Sequence, residues 1–198
     1  MSVSNLPSFK TKHDYYQVVK EQTVKLKQLP WVRNVLQMGS VGCPGISDID
    51  LIVVTQNDGF DGRGHAIKNK NNEYYFLHDA LWLREQDLVR LSDIFCTDKV
   101  FEPVISAETS IAKTFKLTDE QKLIYLIEIT FNKLLQLLST QALNINSRGL
   151  LTRASSVVHS VTLADDLNTP NINFARQFSS NIKNVRANWI DSKGEIKI

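Results

Sequence analysis

Two aspartates stand two residues apart at the head of an apolar run, Ser47-Asp48-Ile49-Asp50-Leu51-Ile52-Val53-Val54. The β-branched residues of the run favour a strand. Alternate strand residues point to one face, so Asp48 and Asp50 share a face, roughly 7 Å apart along the chain. Two carboxylates at the edge of an apolar strand repel each other and lose hydration unless something cationic compensates. A hard divalent cation suits such a pair: Mg²⁺ takes one or two carboxylates and fills its shell with substrate phosphates. Upstream, Gly39-Ser40 ends a shorter apolar run, and the Gly/Pro-containing segment from Val41 to Ser47 joins the two. Asp79 is a third candidate acid. In the run EYYFLHDALWL, residues 73–83, strand alternation puts Asp79 with Tyr75, Leu77 and Leu81, and His78 on the opposite face.

A Gly-Ser turn, a loop, then Ser-Asp-Ile-Asp entering a hydrophobic strand resembles the signature of the nucleotidyltransferase superfamily, which includes DNA polymerase beta and the antibiotic-modifying nucleotidyltransferases. The resemblance rests on a specific motif within residues 30–83 and extends loosely over 99–165. It implies that Gly39, Ser40 and Ser47 bind the nucleotide, and that Asp48 and Asp50 hold two Mg²⁺ ions. It implies that Asp79 completes the metal site from a neighbouring strand and accepts the proton of an attacking hydroxyl. The implied reaction moves a nucleoside monophosphate from a triphosphate, ATP foremost, to a small hydroxylated acceptor such as a sugar or an aminoglycoside-like compound. Two alternatives stand beside it: transfer to tRNA or to a partner protein, as in toxin–antitoxin systems, and a non-catalytic module that binds nucleotide. A homodimer is compatible with the resemblance, since relatives often complete a site across two chains. One departure is visible. Seven residues separate Ser40 from Asp48 and none is basic, whereas many relatives have a longer loop with a basic residue for the triphosphate; Arg63, Lys68 and Lys70 follow further on.

These residues need elements to hold them. Thr11 and Asp14 have capping-box spacing for a helix whose apolar face holds Tyr15, Val19, Leu26 and Leu29, ended by Pro30. Strands are predicted over 32–38, from Asp50 onward, and over 73–83, with a loop over 57–72 containing a short helix around 65–70. A helix is predicted over 84–91, an edge strand interrupted by Pro103 over 99–105, and a brief helix over 110–115. Residues 1–10 read as a loose arm. From Thr118, which forms a capping box with Gln121, the chain turns helical: Leu123, Ile127, Phe131, Leu134, Leu135 and Leu138 recur at helical spacing, and Ile124, Leu126, Ile129 and Leu137 widen the face, predicting a well-buried helix. After a turn at 144–149, further helices are predicted from Leu150, fading near Asp165-Asp166, and over 174–189. The expected fold class is α+β: a small mixed sheet of nucleotidyltransferase type with flanking helices, residues 1–112, followed by a helical lobe, residues 113–198.

Composition narrows the field. The chain has 198 residues, 42% hydrophobic and 22% charged, as in ordinary globular proteins. Its net charge of +2 carries no signal for nucleic acid or membrane. The charge is uneven: residues 1–112 hold 12 basic against 14 acidic side chains, residues 113–198 hold 11 against 7. The basic second half offers slight support for a tRNA or partner-protein acceptor, but nucleic acid is not the favoured partner. Cys43 and Cys96 lack metal-ligand spacing and are expected reduced. No apolar stretch approaches the length of a membrane span and the first residues lack a signal core, so a cytoplasmic protein is expected. No Walker A loop, G-x-S-x-G elbow or H-E-x-x-H pair is present. His13 and His65 lie in polar surroundings and are expected at the surface.

Overall fold

The computed structural model describes residues 3–4, 6–38, 41–56, 65–90, 101–103, 118–143, 145–170 and 172–191. They form a mixed α+β protein of two compact units. One comprises Lys10–Gly42 and Ser47–Lys116, the other Met1–Phe9, Cys43–Ile46 and Leu117–Ile198. Gly39 and Ser40, the helix predicted over 110–115, Arg63 and Cys96 lie outside the described residues.

The first unit is built on a four-stranded sheet. Helix α1 (Lys12–Lys27) starts at the predicted capping box: the Asp14 amide donates to Thr11 Oγ1, and the Thr11 amide to Asp14 Oδ2 at 2.7 Å. Strands β2 (Val32–Met38) and β3 (Asp50–Thr55) pair antiparallel, with Met38 opposite Asp50. Strand β4 (Leu81–Arg84) runs parallel to β3, and β5 (Phe101–Pro103) antiparallel to β2, giving the order β4-β3-β2-β5 with Pro103 on an edge. (Val3–Ser4, paired in the other unit, is β1.) Strand β3 is buried from Leu51 to Thr55. Its Leu51 and Val53 pack with Tyr15, Val19, Leu26, Val35 and Phe76, while Ile52 and Val54 pack with Leu36 and Leu88. Period-2 alternation thus feeds two cores, and a strand covered on both faces reads as an unbroken apolar run. Each of these side chains contributes about 1.5–3 kcal/mol of burial.

Two expectations for 65–83 are corrected. No helix forms at 65–70, and the strand is confined to Leu81–Arg84. Asparagines are the reason. Asn72 Oδ1 accepts the Asn69 amide at 2.7 Å, Asn72 Nδ2 donates to the Ile67 carbonyl, and Asn69 Oδ1 accepts the Asn71 amide. These side chains take over backbone hydrogen bonds that a helix or ladder would use, and residues 70–75 become successive turns. The helix predicted over 84–91 is a 3₁₀ helix, Glu85–Arg90. His65 is not a lone surface residue: its ring packs edge-on to Trp31 at 5.3 Å and tilted to Trp82 at 6.2 Å.

The second unit is helical. Helix α2 (Asp119–Leu143) opens on the Thr118–Gln121 capping box. Strand β6 (Ile145–Asn146) pairs parallel with β1, so part of the predicted loose arm is tied down. Residues 150–161 do not form one helix: α3 (Ser147–Ser155) and α4 (Val157–Asp166) meet at Ser156, where Ser155 and Ser156 hydroxyls donate to the carbonyls of Thr152 and Arg153. Helix α5 (Asn173–Asp191) completes the unit. The expected burial of α2 is overturned at Leu123, Ile124, Ile127, Phe131 and Leu135, all of which are exposed. Among the described residues no helix is long and apolar enough to cross a membrane.

The Cys43–Ile46 turn belongs to this unit. Its carbonyls are acceptors for donors of the helices: Trp189 Nε1 to Pro44 O at 3.0 Å, Arg148 Nε to Ile46 O at 3.2 Å, and Thr152 Oγ1 to Ile46 O at 2.9 Å. Arg148 is fully buried. Burial pushes the Cys43 thiol up, so it stays a neutral donor to the Arg186 carbonyl and no nucleophile. Gly45 has φ +91°, and a Cβ there would lie 2.4 Å from the Ser8 carbonyl oxygen. Gly45→Ala is therefore expected to destabilise the protein by about 1–3 kcal/mol, read as a lower urea midpoint by circular dichroism.

Candidate metal centre

The chain entering β3 is pinned on its inner side. Ile49 is buried and its amide donates to the Tyr75 carbonyl at 2.8 Å. Ser47 is buried, and its carbonyl accepts the Tyr15 hydroxyl at 2.6 Å. With Ser47 and Ile49 held inward, Asp48 and Asp50 stand on the other side, both only partly buried. The predicted pairing of the two acids is realised, and Asp50 is the first residue of the central strand.

The third member is His78, not Asp79. One ligating atom from each of Asp48, Asp50 and His78 lies within 4.8 Å of the others. His78 Nε2 is 2.7 Å from Asp50 Oδ1. His78 Nδ1 is 2.9 Å from the Asp79 carbonyl oxygen. A carbonyl only accepts, so Nδ1 carries a proton and the ring is aimed with Nε2 at the carboxylates. Asp79 Oδ1 instead accepts the amides of Ile67 (2.9 Å), Lys68 (3.3 Å) and Ala80 (2.8 Å). Its carboxylate closes the loop back onto residues 67–68, and its carbonyl orients His78. The alternation argument failed here because residues 73–80 are not strand. The parallel register Ile52↔Leu81 would set residue 79 beside Asp50 only if β4 began two residues earlier. The asparagine turns before it are the sequence signal that β4 starts late.

Of the other predicted residues, Ser47 contributes a buried carbonyl already engaged by Tyr15. Lys68, a candidate cation for phosphate, donates Nζ to the Leu77 carbonyl at 2.9 Å. Lys10 Nζ sits over the rings of Tyr74 and Tyr75.

Electrostatics follow from this geometry. The hydrogen bond to Asp50 pushes the His78 imidazole up to about 9 against the opposing effect of burial, with the Asp79 carbonyl and the charges of Asp50 and Asp48 adding to the rise. At neutral pH the ring is an imidazolium lying against the carboxylates. When the proton leaves, Nε2 offers a lone pair at the same point. Three donors of this kind, two carboxylate oxygens and one imidazole nitrogen, can hold a divalent cation. The group lies partly open: the Asp50 side chain is 26% exposed and that of His78 61%.

The sign of the pH effect is fixed by the direction of the shift. A histidine raised in the folded state stabilises it fully below the unfolded value of 6.5, and the contribution is lost as pH rises through about 9. Histidine NMR of the metal-free protein is expected to show His78 titrating near 9, and Asp50→Asn is expected to return it toward 6.5. His78→Gln is expected to lower the urea midpoint at pH 6 and to leave it unchanged well above pH 9. No family model, no curated protein and no solved structure matches this chain.

Proposed function

We propose that this chain is a metal-dependent nucleotidyltransferase that moves a nucleoside monophosphate from a triphosphate, ATP foremost, to an acceptor hydroxyl. The observation that carries the reading is the convergence of Asp48, Asp50 and His78 at the head of the central strand, half open to solvent. The motif around it supports the same reading: Ser47-Asp48-Ile49-Asp50 enters a strand buried from Leu51 to Thr55 and antiparallel to the one that precedes Gly39-Ser40. The acceptor oxygen would attack the α-phosphorus as its proton passes to solvent water, the bond from that phosphorus to the bridging oxygen would break, and pyrophosphate would leave. Asp48 and Asp50 would hold Mg²⁺ or a similar ion, whose charge neutralises the phosphates as the bond changes. The chain's own part is positioning: Tyr15 and Tyr75 fix the backbone on either side of Asp48, and Asp79 aims His78. In this reading His78 stands where the resembled family supplies a third carboxylate.

A second reading, transfer to a partner protein, gains from one feature of the helical unit. An apolar groove of about 740 Å³ is lined by Leu126, Phe131, Val161, Ile172, Phe174 and Phe178 among others, with few hydrogen-bonding groups. A polyhydroxylated acceptor would leave its hydroxyls unpaired there, whereas an apolar face of a protein would not.

The test is titration calorimetry with each of the four ribonucleoside triphosphates, with and without divalent cation. One triphosphate is expected to bind only with the cation, and Asp48→Asn to abolish that binding. Asp50→Ala is expected to lower pyrophosphate release by about 10²-fold or more. Absence of binding by all four triphosphates overturns the reading. Label passing from the triphosphate to protein and not to small hydroxylated compounds selects the second acceptor class.

A further inference from the structure

We propose that the Asp48–Asp50–His78 site selects a nitrogen-accepting first-row transition ion, of the Mn²⁺ to Zn²⁺ class, over Mg²⁺. The proposal rests on the reading that Asp48 and Asp50 hold a cation. Its ground is the identity and aim of the third donor. Nε2 of His78 is 2.7 Å from Asp50 Oδ1, and one oxygen of Asp48 joins them within 4.8 Å. Two ligands at right angles around an ion at about 2.1 Å are about 3 Å apart. The His78–Asp50 separation needs to open by only a few tenths of an ångström to become a pair of adjacent ligands.

The imidazole is set up for this role by a group outside the ligand set. The Asp79 carbonyl accepts from Nδ1 at 2.9 Å, which fixes the tautomer whose free nitrogen is Nε2. Metal-ligating histidines are held in this way, with the second ring nitrogen donating to a carbonyl or carboxylate. Asp79 is held in turn by three backbone amides, so the carbonyl is not free to swing away. The third position is therefore a positioned nitrogen donor.

Ligand chemistry then decides the ion. Mg²⁺ is small and hard, dehydrates reluctantly and takes oxygen ligands. Replacing one of three protein oxygens by imidazole nitrogen weakens it. Imidazole suits Fe²⁺, Ni²⁺ and Zn²⁺, and affinity for a mixed nitrogen–oxygen site rises from Mn²⁺ through Fe²⁺ and Co²⁺ to Ni²⁺. Sequence reading alone led to Mg²⁺ from the Asp48–Asp50 pair, with no nitrogen donor beside it.

The test uses the full chain and the metal alone. Mn²⁺ binding, followed by electron paramagnetic resonance, is expected to be at least about tenfold tighter than Mg²⁺ binding measured by competition. His78→Gln is expected to weaken Mn²⁺ about 10–100-fold and to leave Mg²⁺ affinity within about twofold. Electron spin echo spectroscopy of the Mn²⁺-loaded protein is expected to show coupling to an imidazole nitrogen that disappears in His78→Gln. Circular dichroism of the variant under the conditions of the binding measurement checks that it is folded. Equal Mn²⁺ binding by the variant, or no nitrogen coupling in the wild type, overturns the proposal while leaving triphosphate binding with Mg²⁺ intact. Nitrogen-coupled Mn²⁺ without binding of any triphosphate has the opposite meaning: the metal selection stands and the nucleotidyltransferase reading falls.

Discussion

Strand β3 is buried on both faces, and the site depends on that. A strand with two dry faces cannot slip by one residue without drawing the Asp50 carboxylate into a core, where burial of an unpaired charge is costly. Leu51 and Val53 are committed to the helix α1 side, Ile52 and Val54 to the side of Leu36 and Leu88. Asp50 must then emerge where the dry part ends. Ile49 continues the inward series one residue further, held by its amide to Tyr75, and Asp48 follows on the open side. The carboxylate pair is thus placed by hydrophobic burial of its neighbours, and each aspartate is kept at the rim by an aliphatic residue beside it in the core.

The parts of this arrangement readable in the sequence are those governed by local periodicity and capping. The apolar run after Asp50, the Thr11–Asp14 and Thr118–Gln121 capping boxes and the helix over 173–191 need only near neighbours. The parts that were not readable depend on competition. The segment 73–83 alternates well enough for a strand, but the Asn69 and Asn72 carbonyls accept the amides of Glu73, Tyr75 and Phe76 in successive turns, and the strand retreats to Leu81. That retreat exchanges Asp79 for His78 at the site. Arg148 shows the same limit from another side. Nothing local in Ser147-Arg148-Gly149 says that the guanidinium will be buried with its Nε on the Ile46 carbonyl, about a hundred positions away. The apolar stripe of α2 is correct in spacing, yet spacing does not say what will cover it. Leu123, Ile127 and Phe131 are exposed, and Phe174 beside the groove is 84% exposed.

The exchange of an acid for a histidine also alters the charge that the protein must tolerate. Three carboxylates brought together carry three negative charges, and their repulsion rises sharply where water is partly excluded. Asp48, Asp50 and a protonated His78 carry one. The imidazolium donates to Asp50 and lies near Asp48, so its charge offsets part of theirs. Metal entry would then be a replacement: a proton leaves Nε2 and a divalent charge takes over its role between the same carboxylates. Metal affinity falls with falling pH wherever a ligand must first lose a proton. In the bound state two carboxylates and a neutral imidazole sum to two negative charges, which one divalent ion balances. A triphosphate arriving with its own cation would meet a site close to neutral, and would need no extra basic residue in the short loop between Ser40 and Asp48 to be tolerated there. In a site with a third acid, that loop would have more negative charge to offset. The absence of lysine and arginine from residues 41–47 and the presence of histidine at the third position are therefore electrostatically consistent with each other.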